Sequence, residues 1–344
     1  MSAIQGNQGT LLSTQTFSQF TDLVRRSWIT EREFLDRRAK PLYITDPIGN
    51  QQGSSKRYNE LDTSTFAQDK PEGTNNLKAK TGVSYQKDMN ARSFSTQIDI
   101  TIEMRNQNRY LEVGNQITSL AFFGDNRQDL DLTHRFTFAG AASYVDMNGY
   151  TVDTTTGDGL SLVNTAHTLA FSSTTYSNNV AGNPPFSESA FQGALNLGAN
   201  QIYNNFGELR QKNFNKIFCH NDPTTIASIQ QLIMSPADVS AIQSGIVNTY
   251  KGTAELVVLP YLATTATGAY DSTKRRYWGV VAAGQGLMGW QGFVGDWVTP
   301  QLYTPSDTNN GMDINSLNWS YVNYASWGIA TPTGKGLVMS LVSN

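Results

Sequence analysis

The chain has 344 residues, enough for about two domains or one large domain. It carries 25 Lys and Arg against 28 Asp and Glu, a formal net charge of −3, which disfavours non-specific nucleic-acid binding because such binding depends on neutralising phosphates. The single cysteine, Cys219, excludes an intrachain disulfide framework and a four-cysteine zinc site. No apolar run approaches the roughly 20 residues of a membrane span, and the N-terminus lacks a secretory pattern, so we expect cytoplasmic synthesis and no membrane partner.

Charged residues are scarce, at 15% of the chain against about 25% in ordinary soluble domains. The mean hydropathy is −0.38, so Asn, Gln, Ser, Thr and 29 Gly make up the deficit rather than apolar side chains. Interface cores between proteins are depleted of charge in the same way. The composition therefore predicts either a chain that contacts other chains over much of its surface or an extracellular β-rich protein.

A polar segment, residues 1–16, precedes a helix predicted over 17–38 from the helical spacing of its apolar residues, with Pro41 ending it. This helix and its end are basic, with Arg25, Arg26, Arg32, Arg37, Arg38 and Lys40. One interpretation is a patch that binds nucleic acid or a partner. The other is a solvated helix face whose charges pair with Glu31, Glu33 and Asp36, and the interleaving of the two signs favours it.

Residues 45–92 contain few apolar side chains and several Gly and Pro. Because structureless loops beyond about 15 residues are uncommon inside a compact domain, we expect an extended hairpin that reaches away from the body. Residues 94–102 alternate apolar and polar side chains with period two, which predicts a strand that returns to the body.

The period then changes, and a helical stripe from Tyr110 to Phe123 predicts one long helix over 103–132. Gly114 and Gly124 lie inside it, and each costs about 1 kcal/mol relative to alanine.

Short strands and helices alternate from residue 187 to 283, which indicates an α/β layer. Ser187 and Asp222 are predicted helix N-caps, and Pro223 follows at the first helical position. The predicted elements are a helix from 187 that closes at Gly207, a strand at 217–219, helices from 223 and over 235–245, and strands at 256–259 and 277–282. Alternation over 319–327 and an apolar run at 337–341 predict two final strands.

No motif in the sequence predicts a catalytic, cofactor or metal site. Residues 284–289 match G-x-G-x-x-G, but the glycine-rich sequence after them cannot form the helix that a dinucleotide site needs. His134, His167 and His220 lack a nucleophile elbow or a metal spacing, and Cys219 is expected to be a small buried apolar residue. Asp125, Asp129 and Asp131 lack the spacing of a calcium loop. We therefore predict no catalytic, cofactor or metal residues.

One segment is more specific, Asp158-Gly-Leu-Ser-Leu-Val163-Asn-Thr-Ala-His167-Thr-Leu169. It resembles D-G-x-x-L-F-[ST]-x-x-H-P-L, a recurrent segment in one subfamily of the major capsid proteins of tailed bacteriophages, which share the fold named after the Hong Kong ninety-seven phage. Val163 stands where an aromatic is usual and Thr168 where Pro is usual, so the chain resembles a divergent member. The later order of elements is also similar, including an apolar strand followed by Pro260-Tyr261-Leu262. The resemblance covers roughly residues 17–344.

The resemblance implies an α+β fold, the tailed-phage major capsid fold, in five parts. These are an N-terminal arm with the basic helix (1–42), an extended E-loop (43–95), a peripheral domain with the spine helix (96–210), an axial domain (211–314) and C-terminal strands returning to the body (315–344). It further implies a major capsid protein that self-assembles into hexamers and pentamers of an icosahedral shell around packaged double-stranded DNA, without sequence-specific DNA contacts. The implied partners are copies of itself and portal, scaffolding and decoration proteins, and the implied location is the virion capsid, assembled in the host cytoplasm.

Two alternatives stay open. A nanocompartment shell that encloses enzyme cargo has the same fold, but the long polar arm and the large E-loop disfavour it. A hydrolase that uses His167 is the second, and the missing nucleophile motif disfavours it.

The residues expected at subunit interfaces are basic and lie in the arm and the E-loop: Arg25, Arg32, Arg37, Arg38, Lys56, Arg57, Lys70, Lys78 and Lys80. Because the E-loop looked poor in core residues, deletion of about 50–90 is expected to leave a folded body. Tyr261 is expected to be largely buried.

Overall fold

The computed structural model describes residues 14–33, 38–49, 53–63, 66–67, 69–76, 78–107, 110–236, 248–286, 289–305, 312–313 and 317–342. Its helices are α1 (Thr14–Glu33), α2 (Ile102–Asn106), α3 (Tyr110–Thr137), α4 (Glu188–Asn200) and α5 (Pro223–Met234). Its strands are β1 (Ile44–Pro47), β2 (Ser55–Thr63), β3 (Thr81–Asn90), β4 (Arg92–Thr101), β5 (Ser143–Val145), β6 (Thr151–Asp153), β7 (His167–Leu169), β8 (Ser172–Tyr176), β9 (Lys216–Cys219), β10 (Glu255–Val258), β11 (Trp278–Val281), β12 (Phe293–Tyr303), β13 (Met312–Asp313), β14 (Asn318–Ala330) and β15 (Leu337–Ser340).

The first main sheet is centred on β14, the strand predicted from the alternation over 319–327. β12 pairs with β14 on one side and with β1 beyond, while β4 pairs with the other side of β14 and β13 pairs with its start. Alternate residues of β14 are buried, because one face of the sheet is covered by α1 and α3. Trp28, Ile117, Leu120, Trp319 and Tyr321 form the core between them.

The second main sheet has the strand order β10, β9, β11, β15. α4 and α5 cover one face, where Phe191 and Ile229 belong to the core, and Phe136 of α3 and Trp290 pack on the other. This is the α/β layer predicted between 187 and 283, completed by a strand from the C-terminal end of the chain. The mixed α and β class is confirmed, while the division into named domains stays a prediction.

Local capping explains where the helices of this layer begin. Ser187 accepts a hydrogen bond from the N–H of Ala190 at 3.2 Å, and Asp222 accepts one from the N–H of Thr225 at 3.1 Å. α4 ends at Asn200 instead of continuing to Gly207. Beyond its end, the side chain of Asn204 accepts hydrogen bonds from the N–H groups of Phe206 and Glu208, which sets a turn in place of a helix. The predicted helix over 235–245 lies largely outside the described residues.

The predicted long helix is divided, because α2 ends at Asn106 and α3 begins at Tyr110 and continues to Thr137. Gly124, which weakens a helix on intrinsic grounds, allows α3 to approach the first sheet. A Cβ on Gly124 would lie 3.1 Å from Pro300 Cβ and 3.2 Å from Asn323 Nδ2.

α1 is described over Thr14–Glu33, and residues 34–37 of the predicted basic helix lie outside the described ranges, so the end of that helix stays a prediction. One further expectation changes. Tyr261 is half-buried rather than largely buried, because it borders an open groove beside α3.

Candidate assembly surfaces

Buried charges fix the loop end of the β2–β3 hairpin, the end of the strand pair next to its connecting segment, to the body of its own chain. Lys335 Nζ lies 2.9 Å from Glu60 Oε1, and the two side chains are 7% and 5% exposed. Asp62 accepts hydrogen bonds from Arg210 Nη1 at 2.8 Å and from the N–H of Asn205 at 2.8 Å. Burying an ion is costly unless it is paired, so these contacts hold the loop end of the hairpin in one position.

The strands of the hairpin also lie along the body. Tyr85 Oη is 2.8 Å from Thr168 Oγ1, and Lys87 Nζ is 2.5 Å from Asp153 Oδ2. Met89 is fully buried and packs in a core cluster with Tyr58 and Trp297. The expectation that all of 45–92 reaches away from the body is therefore wrong for β2 and β3, and so is the expectation that this segment adds little core.

The tip of the hairpin, which we define as residues 66–80, behaves differently. Every residue of the tip that the structure describes is exposed, including Lys70, Lys78 and Lys80. Phe66 is 65% exposed, the largest exposed fraction among the exposed large apolar side chains of the described residues. The tip is therefore the part of the predicted E-loop that is free to contact another chain.

The two other cations predicted in the E-loop already have partners in the same chain. Lys56 Nζ lies 2.5 Å from Asp46 Oδ2, which also accepts a hydrogen bond from Tyr58 Oη. Burial tends to raise the pKa of Asp46, but these two hydrogen bonds outweigh it and lower the pKa. Arg57 makes a two-pronged contact with Asp88, at 2.6 Å and 3.0 Å. Neither cation needs a second subunit for its charge.

The structure describes the side chains of only some of the charged residues in the basic helix. Arg25 Nη2 donates a hydrogen bond to Thr304 Oγ1 at 3.0 Å. Arg38 lies just before the turn that leads into β1. The side chains of Arg32 and Arg37, and with them the predicted pairing with Glu33 and Asp36, lie outside the described residues.

The segment that resembles the capsid family forms a locked turn. His167 Nδ1 lies 2.7 Å from Asp158 Oδ2, and Asp158 also accepts hydrogen bonds from the Thr156 hydroxyl and from the N–H of Leu160. Burial tends to raise the pKa of Asp158, but the hydrogen bonds from His167 and Thr156 outweigh it and lower the pKa. Gly159 has a φ of +80°, a conformation that glycine adopts without strain.

His167 itself is fully buried, and its ring stacks on Tyr176 at a centroid distance of 4.9 Å. A histidine–aspartate pair can serve as a general base, but a ring sealed in this way does not reach a substrate. The arrangement therefore supports a structural role, in which the pair closes the turn between residue 158 and β7.

The glycine segment at 284–289 and Cys219 are the other candidates for chemistry. After the glycines at 284–289 the chain runs into β12 without a helix in residues 289–303. Cys219 is buried, which raises its pKa to about 12, so the thiol stays protonated and unreactive. In the described part of the chain no His, Cys, Asp and Glu side chains cluster as metal ligands. No described helix is long and apolar enough to span a membrane.

Sequence reasoning missed the ion pairs at the loop end of the hairpin. Glu60 and Lys335 are 275 positions apart, and each lies in a stretch of ordinary polar composition. The exposed Arg57 and Asn59 alternate with the buried Tyr58, Glu60 and Asp62, but all except Tyr58 are polar or charged, so the sequence carries no apolar signal of this burial.

No protein-family profile and no curated protein matches the sequence. Three solved structures similar to the chain are the capsid of the cyanophage P-SCSP1u (14% identity, TM-score 0.49, 88% of this chain and 87% of that chain), the capsid of Ralstonia phage GP4 (12%, 0.44, 88% and 88%) and a virus-like particle from Pyrococcus furiosus (10%, 0.46, 92% and 97%). Two are phage capsids, the class of protein that the sequence resembles. The TM-scores stay below 0.5, so these likenesses assign no residue role to the chain.

Proposed function

We propose that the chain is a major capsid protein that assembles with copies of itself into a closed icosahedral shell around double-stranded DNA. The observation that carries the proposal is the hairpin, whose loop end is fixed by buried ion pairs while every described residue of its tip is exposed. A tip that projects from a fixed strand pair, with Phe66 exposed, is suited to packing on another chain. The scarcity of charge agrees, because a shell subunit has several neighbours.

Under this proposal the exposed lysines of the tip, Lys70, Lys78 and Lys80, and the arm residues Arg25, Arg32, Arg37 and Arg38 contribute to subunit contacts. Lys56 and Arg57 shape the hairpin instead. Portal, scaffolding and decoration proteins are further partners, the shell is assembled in the host cytoplasm, and its net negative subunit contacts DNA without reading sequence.

The contents of the shell separate this function from a nanocompartment. Shells isolated from infected or expressing cells are treated with nuclease, opened, and analysed for nucleic acid and for co-purified protein. We expect shells from phage-producing cells to protect genome-length double-stranded DNA. Shells that contain a single enzyme and no protected DNA would contradict the proposal, and a purified chain that stays a single subunit would contradict both shell functions.

A further inference from the structure

β4 is an edge strand without the usual protection. It pairs with β14 through ten consecutive residues, Arg92 to Thr101, without a register shift. Over the ranges that the structure describes, no strand pairs with its other side. Exposed edges are normally blunted by Pro, Lys or a bulge, yet residues 93–98 contain no Pro and no charged side chain. Such an edge is a template for another strand.

The face of β4 that is turned toward α3 borders an open groove. A groove of about 760 Å³ runs between β4 and α3, and its apolar lining includes Phe94, Phe123, Leu130, Met147 and Tyr261. Phe123 and Met147 are each 44% exposed.

Three successive residues of β4, Ser95, Thr96 and Gln97, are exposed. Because successive side chains point to opposite faces, neither face of the strand is covered at this point. A strand added at this edge would place alternate side chains on the groove side of the sheet.

We propose that this edge pairs with β4 of a second copy of the chain, antiparallel and about a two-fold axis at Thr96, so that two first sheets become one. The inference rests on the proposed self-assembly and names one of its contacts. A two-fold axis perpendicular to a sheet makes the two edge strands antiparallel, and the interface uses the same residues on both sides.

The register follows from the faces of the strand. Residues directly opposite each other share a face, so Thr96 meets Thr96 of the second copy and Phe94 meets Ile98 of the second copy. Phe94 and Ile98 lie on the side of the sheet that faces α3, because their neighbours on β14, Ala325 and Tyr321, are buried.

The self-pairing is chemically complementary. Aromatic with β-branched pairs and threonine with threonine pairs are both favourable across antiparallel strands. On the outer face, Ser93 meets Asp99 of the second copy, so no like charges oppose each other. Arg92, at the end of the strand, is already bound to Asp146 at 2.5 Å.

A cysteine on the axis tests the register directly. In Thr96→Cys the two Cα atoms would be about 4.5–5.5 Å apart, within the range of about 4.4–6.8 Å that a disulfide bridges. The matched control is Ser95→Cys, whose side chain is on the other face and opposes Gln97 of the second copy. After mild oxidation we expect at least tenfold more covalent dimer for Thr96→Cys on a non-reducing gel. Equal yields, or no dimer from Thr96→Cys, would overturn the proposal.

A charge exchange tests the same axis without oxidation. Thr96→Lys and Thr96→Glu each place like charges opposite each other and should reduce dimerisation at least tenfold, while an equimolar mixture should recover it. Thr299→Lys, an exposed threonine of β12, is the control and should dimerise normally. Circular dichroism confirms that each variant is folded. Two weakened variants that do not recover on mixing would place the axis elsewhere and overturn the proposal.

Microscopy of the same preparations separates this inference from the proposed function. Shells that form without any Thr96→Cys cross-link would remove the β4 contact and leave the capsid function intact. Cross-linked dimers that never form shells would support the β4 contact and contradict the capsid function.

Discussion

Single side chains show how this protein places ionisable groups in its interior. His134 is 1% exposed and its Nε2 lies 2.9 Å from Thr264 Oγ1. Burial, reinforced by the positive charges of Arg127 and Lys274 and opposed by Asp146, lowers the pKa of His134 to about 4. Lys335 is buried as well, but Glu60 keeps it paired. Burial holds His134 neutral, whereas Lys335 is buried against a carboxylate.

His134 makes the free energy of unfolding depend on pH. The unfolded chain protonates this histidine near pH 6.5, whereas the folded chain does so only near pH 4, so stability is full above pH 6.5 and falls as the pH drops between these values. Between pH 7 and pH 5 we expect a loss of about 2 kcal/mol from this group. Urea unfolding at both pH values measures this loss of stability. The variant His134→Gln should lose correspondingly less stability between the two pH values. An unchanged pH dependence in the variant would show that other groups cause the loss.

Removing one member of the buried pair should be costly. Lys335→Met leaves the carboxylate of Glu60 buried without its partner, which we expect to reduce the free energy of unfolding by about 3–5 kcal/mol. Chemical denaturation measures the loss. The double variant Lys335→Met with Glu60→Gln should recover most of it, and Arg57→Met, which breaks an exposed pair, should be nearly neutral. An unchanged free energy of unfolding in Lys335→Met would mean that the loop end of the hairpin is not anchored as described.

The hairpin is the element whose two ends have different roles. β2 and β3 contribute Tyr58 and Met89 to the core, whereas the tip at 66–80 is exposed wherever it is described. Deletion of 50–90 would therefore damage the body, contrary to the expectation from sequence. Deletion of the tip alone is the cleaner experiment.

Replacing residues 66–80 with a short glycine-containing turn should leave thermal unfolding within a few degrees of the full chain, because the tip buries nothing in its own body. The same variant should fail to assemble. Differential scanning calorimetry and size-exclusion chromatography measure the two effects. Normal assembly of the tip deletion would contradict the assignment of this segment as an intersubunit arm.

The lysines of the tip can be tested apart from its length. Changing Lys70, Lys78 and Lys80 together to Gln should weaken assembly by about tenfold, since exposed ion pairs are each worth about 0–1 kcal/mol. Light scattering against protein concentration measures the shift. Lys251→Gln, an exposed lysine distant from the hairpin, is the control, and an equal effect of both changes would remove the tip lysines from the interface.

Elements with local signals were predictable from sequence. The caps at Ser187 and Asp222, the alternation of β14 and the apolar run of β15 each act within a few residues, and the structure has all four. The pairing of Glu60 with Lys335 depends on a partner 275 positions away in the chain. The groove that leaves Tyr261 half-exposed arises from the placement of α3 against β4, which no spacing along the chain encodes.

At the scale of the whole molecule, three features suggest contacts with other chains. The exposed tip carries Phe66, the β4 edge is regular and undefended, and the chain is only 15% charged. A single subunit in water would gain nothing from any of these. A shell subunit uses all three, the tip and the edge as contacts and the low charge as a surface that neighbours can cover.

Electron cryomicroscopy of the purified, concentrated full chain tests this account most directly. We predict closed icosahedral shells in which residues 66–80 of each subunit lie on a neighbouring subunit, while Lys335 still pairs with Glu60 inside its own chain. A monodisperse 37.8 kDa particle at every concentration, or shells in which the tip contacts only its own subunit, would contradict the account.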